Sequence, residues 1–238
     1  VDIPDKRKTH SKSVAFTGGI GICLIYIFAL QYFDFQYEYI NSIFSSAFLI
    51  SLVGLLDDKY QLKTGSKLTL QVIPILFLIL HENLYLTNIG NYNYFEITLG
   101  SFGLLFTLLS VLFLTNAFNY FDGLDGTLSY SFISVLIILY FLLPKDSNLN
   151  FLILIIIIPL IIFLLFNSSI FGLPKLFLGD SGSLFLGFIT SFLLILFAIK
   201  NLVHPILLAW SVVLFVYEFI SINFQRINEK KNPFNAGL

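Results

Sequence analysis

Residues 147–174 read SNLNFLILIIIIPLIIFLLFNSSIFGLP and contain no charged side chain. A helix that crosses the hydrocarbon core of a bilayer needs about 20 consecutive, mostly apolar residues. Residues 151–166 within it are continuously apolar and do not alternate between polar and apolar positions, which favours a helix over a membrane β-strand. We therefore predict an all-α, polytopic integral membrane protein.

The rest of the chain has the same character. Of its 238 residues, 57% are hydrophobic and 11% are charged, whereas soluble domains carry about 25% charged residues. A soluble fold of this size could not bury so much apolar surface, so we predict about eight transmembrane helices in eight apolar stretches. We expect Asn83–Leu86 to extend the short third stretch past His81 and Glu82. The stretches are Ser13–Phe33, Tyr39–Leu56, Leu68–His81, Ile97–Phe121, Gly126–Pro144, Ser147–Pro174, Ser181–Ile199 and Asn201–Tyr217.

The basic residues predict the orientation of these spans. If the connecting segments alternate between two sides, only Lys145 and Lys200 of the 13 Lys and Arg residues fall on one side. Lys and Arg favour the cytoplasmic side of a membrane, so we predict that the other, basic side is cytoplasmic. That side receives Val1–Lys12, Asp57–Lys67, Asn119–Thr127, Asn167–Gly182 and Asn223–Leu238.

Five aspartates from three separate loops fall on the predicted cytoplasmic side. Carboxylates at helix ends beside a membrane are costly to desolvate, so such a group indicates a function. We predict that they assemble into one site. They are Asp57, Asp58, Asp122, Asp125 and Asp180.

The first acidic motif is the pair Asp57-Asp58. Adjacent carboxylates repel each other unless a cation lies between them or one is protonated, which suits a Mg²⁺ site or a general base. The alternative is a solvated loop start, because Lys59, Lys63 and Lys67 follow.

The second motif places a polar residue at every third position from 116 to 125. On a helix this spacing produces one slowly rotating stripe, and Gly123 and Gly126 permit close approach of the backbone. The alternative is a helix cap followed by a turn, for which one aspartate would be enough. The stripe consists of Asn116, Asn119, Asp122 and Asp125.

The third motif is Phe177-Leu-Gly-Asp-Ser-Gly-Ser183. Asp180 could cap the following helix, helped by Ser181 and Ser183. It could equally bind a metal, with the glycines letting a phosphate approach the backbone amides. The spacing is not that of a P-loop.

A basic run lies between Asp2 and His10, ahead of Gly18-Gly19. Such a run beside a membrane indicates sidedness or contact with lipid headgroups. It could also bind substrate phosphates. His81 and His204 lie away from this side, and we expect them to be structural or interfacial.

These motifs resemble those of the polyprenyl-phosphate N-acetylhexosamine-1-phosphate transferases of glycosyltransferase family 4. They occur in family order and cover nearly the whole chain, although Ser13, Ala15 and Phe16 depart from the usual pattern and Thr127 replaces a usual leucine. The matching pieces are Asp2-x-Pro4…Arg7-Lys8-x-His10…Gly18-Gly19, Leu56-Asp57-Asp58…Lys67…Gln71, Asn116…Asn119…Asp122-Gly-Leu-Asp125-Gly and Phe177-x-Gly179-Asp180-x-Gly182-Ser183…Gly187-Phe188.

The resemblance implies transfer of N-acetylhexosamine-1-phosphate from a UDP-sugar to undecaprenyl or another polyprenyl phosphate, with release of UMP. The charge pattern is more similar to the branch that uses UDP-N-acetylglucosamine and initiates cell-envelope polysaccharides such as O-antigen. Two alternatives stay open: a phospho-N-acetylmuramoyl-pentapeptide transferase and a membrane transporter. Transporters typically place ionisable groups midway through their spans, whereas these acids lie at one rim.

The resemblance also implies roles for individual residues and a divalent cofactor, Mg²⁺ or alternatively Mn²⁺. The metal ligands would be Asp180 and Asp122. The catalytic residues would be Asp57, Asp58, Asp122 and Asp125. The substrate-binding residues would be Asn119, Lys67, Lys8, His10 and Asn116, with Lys67 neutralising the diphosphate and Lys8 and His10 contacting the lipid phosphate.

The resemblance implies that residues 1–238 are a single transmembrane catalytic domain within a longer protein. The first helix, a histidine-rich loop and the last helices of that protein would lie outside these residues. The expected partners are the UDP-sugar, the lipid phosphate and the bacterial inner membrane, with no nucleic acid, and a homodimer is left open. We favour direct single displacement over a covalent aspartyl intermediate.

Overall fold

The computed structural model describes residues 14–35, 37–145 and 148–230. Within these ranges the chain forms nine α-helices and one antiparallel hairpin, which confirms the all-α prediction. The helices are α1 (Gly18–Tyr32), α2 (Ile40–Tyr60), α3 (Thr64–Leu80), α4 (Gly103–Phe121), α5 (Thr127–Leu142), α6 (Asn148–Asn167), α7 (Gly179–Ile199), α8 (Pro205–Ser211) and α9 (Val213–Asn228). The hairpin pairs β1 (Asn88–Asn91) with β2 (Glu96–Thr98).

Each of the eight predicted stretches contains a helix, and the eighth is broken. The helices α2, α6, α7 and the span Gly100–Phe121, which includes α4, are long and apolar enough to cross a membrane. A fifth candidate is the pair α8 and α9, whose axes bend by 58°. The helices α1, α3 and α5 are shorter and also apolar. The chain is therefore a multi-pass membrane protein.

The predicted extension of α3 through Leu86 is wrong. The helix ends at Leu80, and Asn83 adopts a left-handed conformation with φ of 54°. The Leu84 N–H donates to the Leu78 carbonyl at 3.1 Å. This wrapped ending, with asparagine in the left-handed position, satisfies a terminal carbonyl and turns the chain out of the helix. The hairpin that follows was not predicted: its first strand falls between the third and fourth predicted stretches, and Ile97 and Thr98 of its second strand were assigned to the fourth.

Helix α7 lies at the centre of the fold, and every residue from Ser181 to Phe197 is buried. Its N-terminal turn packs against α1 and α2 without intervening side chains. A Cβ atom on Gly19 would lie 2.2 Å from the Gly182 nitrogen, and one on Gly54 would lie 2.4 Å from the Asp180 carbonyl oxygen. Small residues let membrane helices approach this closely. The close approach brings the last turns of α2 against the backbone of Asp180.

The segment before α1 holds the loop before α7 in place. The Phe177 N–H donates to the Ala15 carbonyl at 3.0 Å, and the Gly18 N–H donates to the Phe177 carbonyl at 3.1 Å. The Gly19 N–H continues the series to Leu178 at 3.0 Å. These bonds fix the backbone immediately ahead of Asp180.

The predicted grouping of segments on one face is confirmed wherever the described residues test it. Lys67, at the start of α3, contacts residues at the ends of α2, α4 and α7. Near the end of α9, the Arg226 guanidinium lies 5.3 Å from the centre of the Tyr120 ring. At the other end of the bundle Lys200 pairs with Glu38, and the His204 ring meets the Asn91 carbonyl. Asp57 and Asp180, which both contact Lys67, therefore converge at one end of the helices.

Candidate active site

The ammonium of Lys67 is the centre of the site. Its nitrogen lies 2.6 Å from Asp57 Oδ2, 2.8 Å from Asp180 Oδ2 and 3.0 Å from Asn119 Oδ1. An ammonium has three N–H donors, so these contacts occupy all of them. The side chains of Lys67 and Asp57 are each 12% exposed, and poor access to water strengthens such charged hydrogen bonds. Four helix ends are thereby tied together.

Asp57 is held by the tight turn that joins α2 to α3. Gln61 ends α2 in a left-handed conformation with φ of 48°, and its N–H donates to the Asp57 carbonyl at 2.8 Å. The next amide, that of Leu62, donates to Asp57 Oδ1 at 2.8 Å. One carboxylate oxygen therefore closes the turn while the other meets Lys67, which confirms that Lys67 lies beside the acidic pair.

Asp58 caps α7 from a different helix. Its Oδ1 accepts the Asp180 N–H at 3.1 Å, and its Oδ2 faces the Ser181 N–H at 3.4 Å. A carboxylate is favoured at a helix N-terminus, where amide groups lack partners. Gly179 makes the approach possible: its φ is 71°, and a Cβ atom there would lie 2.8 Å from Asp58 Oδ2. Asp58 therefore positions the backbone of Asp180.

Asp180 does not cap its own helix, so that alternative is wrong. It is the second residue of α7, and its carboxylate points to Lys67 and to Asn119, whose Nδ2 donates to Asp180 Oδ1 at 2.9 Å. The same Nδ2 also donates to Ser183 Oγ at 2.9 Å. Asn119 is thus oriented by Lys67 on its oxygen and by Asp180 and Ser183 on its nitrogen.

The predicted helical stripe from 116 to 125 is wrong as a single helix, because α4 ends at Phe121. Asn116 lies one turn deeper than Asn119, where it pairs with Gln71 of α3: Asn116 Nδ2 donates to Gln71 Oε1 at 2.7 Å and to the Leu112 carbonyl at 2.8 Å. In the reverse direction Gln71 Nε2 donates to Asn116 Oδ1 at 3.4 Å. The structure places Asn116 in the packing of α3 against α4 rather than among the carboxylates.

Asp122 follows the last residue of α4 and belongs to the acidic group. Burial, followed by the charges of Asp180, Asp58 and Asp125, raises the pKa of Asp122 to about 7. A carboxyl so close to other carboxylates is disfavoured in its ionised form unless a cation is added. The site thus carries more acid than Lys67 alone neutralises.

Asp125 lies at the rim of the site, with a side chain that is 44% exposed. Its Oδ2 is 2.5 Å from the ammonium of Lys175, a residue of the loop before α7. The sequence reasoning assigned no role to Lys175, although it stands five residues before Asp180 in a predicted cytoplasmic segment. Lys8 and His10, predicted to bind the lipid phosphate, lie outside the described residues.

The donor set suits Mg²⁺ in part. No group of three or more acidic, His or Cys side chains in the described part of the chain forms a complete cation site. Mg²⁺ is, however, usually held by one or two carboxylates, several waters and substrate phosphates. Asp122 and Asp180 provide such carboxylates. Burial first, and the neighbouring aspartates second, raise the pKa of Asp122, so a bound cation would favour its ionised form. The residues therefore fit a cation that arrives with its own water and phosphate ligands.

This chain is similar to known proteins along most of its length. The profile of glycosyl transferase family 4 matches residues 40–198, which include the four helix ends joined by Lys67. Curated relatives named undecaprenyl-phosphate alpha-N-acetylglucosaminyl 1-phosphate transferase match almost the entire chain. The protein from Escherichia coli strain K12 is 28% identical over 244 residues, and that from Yersinia pestis is 30% identical over 244 residues. The protein from Haemophilus influenzae is 29% identical over 252 residues.

The alignments cover 99%, 99% and 98% of this chain, respectively. The chain spans 66% of the length of the first two relatives and 68% of the third. A match over residues 40–198 covers more than half of the 238 residues. On this evidence the chain belongs to glycosyl transferase family 4.

Proposed function

We propose that this chain is the core of an enzyme that transfers N-acetylglucosamine-1-phosphate from UDP-N-acetylglucosamine to a polyprenyl phosphate such as undecaprenyl phosphate. The observation that carries the proposal is the contact of Lys67 with Asp57, Asp180 and Asn119 at one rim of the bundle. Membership of glycosyl transferase family 4 and the printed names of the relatives support the same chemistry. The product would be the first lipid-linked sugar of a cell-envelope polysaccharide.

In the proposed reaction an oxygen of the lipid phosphate attacks the β-phosphorus of the UDP-sugar. The bond between that phosphorus and the bridging oxygen breaks, and UMP leaves with the electron pair. Both reactants are anions, so repulsion and alignment dominate the barrier, and the protein contributes charge and positioning. We favour this single displacement over a covalent aspartyl intermediate.

Asp122 and Asp180 would hold Mg²⁺, or Mn²⁺, and the bound ion would neutralise phosphate oxygens as the donor is attacked. Asn119 and Lys67 orient the Asp180 carboxylate through direct hydrogen bonds. Asp57 orients Lys67, and Asp58 fixes the backbone of α7. In this assignment Asp57 and Asp58 act on catalysis through the groups that they hold in place.

We place the protein in the bacterial inner membrane with the site on the cytoplasmic side, where nucleotide sugars are available. The excess of Lys and Arg on the site's side of the spans supports this orientation. The muramoyl-pentapeptide alternative differs only in the donor. A transporter is less well supported, because the five aspartates of the site gather at one end of the bundle and not midway through it.

The test uses membranes that contain the full-length protein, radiolabelled UDP-N-acetylglucosamine and undecaprenyl phosphate. We expect label to enter the organic extract and UMP to be released in equal amounts, only when lipid phosphate and Mg²⁺ are both present. Asp180→Ala should abolish both signals while leaving the amount of inserted protein unchanged. Transfer from UDP-N-acetylmuramoyl-pentapeptide alone would select the alternative donor, and no transfer from any UDP-sugar would refute the proposal.

A further inference from the structure

The buried ammonium of Lys67 has no donor left for a phosphate. Its three N–H groups are directed to Asp57, Asp180 and Asn119. A diphosphate that replaced any of them would leave a partly buried carboxylate or amide unpaired, and such a group then bears the full penalty of its desolvation. A cation at the rim, with donors to spare, is better suited to meet an arriving nucleotide sugar.

Lys175 has these properties. Its ammonium contacts one carboxylate, that of Asp125, at 2.5 Å, and lies 5.2 Å from the centre of the Phe177 ring. Among the described residues no second hydrogen-bond acceptor is seen at this ammonium, so two of its three N–H donors have no acceptor there. The side chain is 26% exposed, which leaves the charge reachable from water.

Two other cations of the described part of this face lie over aromatic rings. Lys59 lies over the Tyr60 ring at 4.9 Å, and Arg226 lies over the Tyr120 ring at 5.3 Å. Lys175, in contrast, touches an aspartate that acts electrostatically on Asp122, and Asp122 in turn interacts with Asp180. Lys175 therefore borders the same acidic group from the outside.

The backbone around Lys175 is anchored. The Leu176 carbonyl accepts a hydrogen bond from Asn167 Nδ2 at 2.8 Å, and the Phe177 N–H donates to the Ala15 carbonyl at 3.0 Å. An anchored backbone limits the conformational entropy that is lost when the side chain binds a ligand. The root of the side chain is thus fixed while its end can move.

We propose that Lys175 contacts the substrate directly and binds the diphosphate of the nucleotide-sugar donor, with Asp125 holding its ammonium at the mouth of the site beforehand. This inference rests on the proposed function, since it names a donor-binding residue of that same site. It makes Lys175 the cation that selects for phosphorylated nucleotides, whereas Lys67 holds the carboxylates in position.

The test compares Lys175→Gln and Lys175→Arg in the purified full-length protein. Lys59→Gln is the matched control, because it removes a charge from the same face without touching an aspartate of the site. Binding of UDP-N-acetylglucosamine, UDP and uridine is measured without lipid phosphate. Donor binding by the unmodified protein shows whether the proposed function holds, independently of any variant.

We expect Lys175→Gln to weaken the binding of UDP-N-acetylglucosamine and of UDP by about 10-fold or more, which is the effect of losing one charged hydrogen bond. Uridine, which has no phosphate, should bind unchanged, and Lys175→Arg should retain most of the affinity. Lys59→Gln should bind all three ligands normally.

If Lys175→Gln weakens the binding of uridine and of UDP equally, the role of Lys175 is structural and the inference is overturned. A donor affinity within about twofold of the unmodified protein would do the same. An increase in the KM for lipid phosphate alone would place Lys175 on the other substrate. If Lys175→Gln does not fold, Lys175→Met is measured by the same criteria, with Lys175→Arg as the charge-conserving comparison.

Discussion

The paired amides of Gln71 and Asn116 allow a quantitative test of how the site is positioned. They exchange hydrogen bonds of 2.7 and 3.4 Å between α3 and α4. Lys67 lies one helical turn before Gln71, and Asn119 lies one turn after Asn116, so this pair sets the register in which Lys67 meets Asn119. Replacing either residue by Leu removes the bond and leaves the other amide partly unpaired, at a cost of about 1–3 kcal/mol.

We expect each single variant to fall near the lower end of that range. In Gln71→Leu, Asn116 keeps its bond to the Leu112 carbonyl. For both variants, polar contacts between membrane helices average about 0.6 kcal/mol, with a maximum near 1.7. The double variant Gln71→Leu with Asn116→Leu should therefore cost about 1 kcal/mol less than the sum of the two single variants. Turnover should fall in all three, because the register of Lys67 is lost.

The assay is unfolding by SDS in mixed micelles, combined with measurement of turnover in the full-length protein. Thr69→Val is the matched control: within the described part of the chain, the Thr69 hydroxyl bonds only to the Gly65 carbonyl of the same helix, at 2.8 Å. It should change neither stability nor turnover appreciably. Strict additivity of the two Leu variants, or full turnover in both, would refute the reasoning that this pair sets the register.

Three further predictions concern charge, packing and the metal. Lys67→Gln should lower kcat by more than about 100-fold and shift the midpoint of thermal unfolding downward, because it leaves the Asp57 and Asp180 carboxylates without their counter-charge. A near-normal kcat would contradict the role of Lys67 in holding these carboxylates in position. Gly54→Val should prevent folding or abolish turnover, since even a Cβ atom would lie 2.4 Å from the Asp180 carbonyl oxygen. A normally active Gly54→Val protein would show that α2 and α7 pack less closely at this point. Removal of divalent ions with EDTA should abolish turnover, and added Mg²⁺ should restore it; turnover in EDTA would exclude the cation role of Asp122 and Asp180. The control variant Lys200→Gln, at the opposite end of the bundle, should leave turnover unchanged.

The sequence by itself was sufficient for the spans and for the grouping of the acids. A bilayer offers the backbone no hydrogen-bond partners, so each crossing must be a continuous apolar helix, and such runs are visible in composition alone. Alternation of the loops then assigns Asp57, Asp122 and Asp180 to one side. The ends of the runs were harder to predict: Asn83 stops α3 by a left-handed turn that hydropathy does not register.

Only the tertiary structure decided what each polar residue contacts. Asp58 caps α7 across 122 positions of sequence, and Asn116 turns to Gln71 instead of joining Asn119 in the site. Among the residues that the structure describes, the ammonium of Lys67 contacts three hydrogen-bond acceptors, while that of Lys175 contacts one. Spacing along a chain reflects the geometry of a single helix. Contacts between helices depend on how closely Gly19, Gly54 and their neighbours let the backbones pack, and that is a property of the assembled bundle.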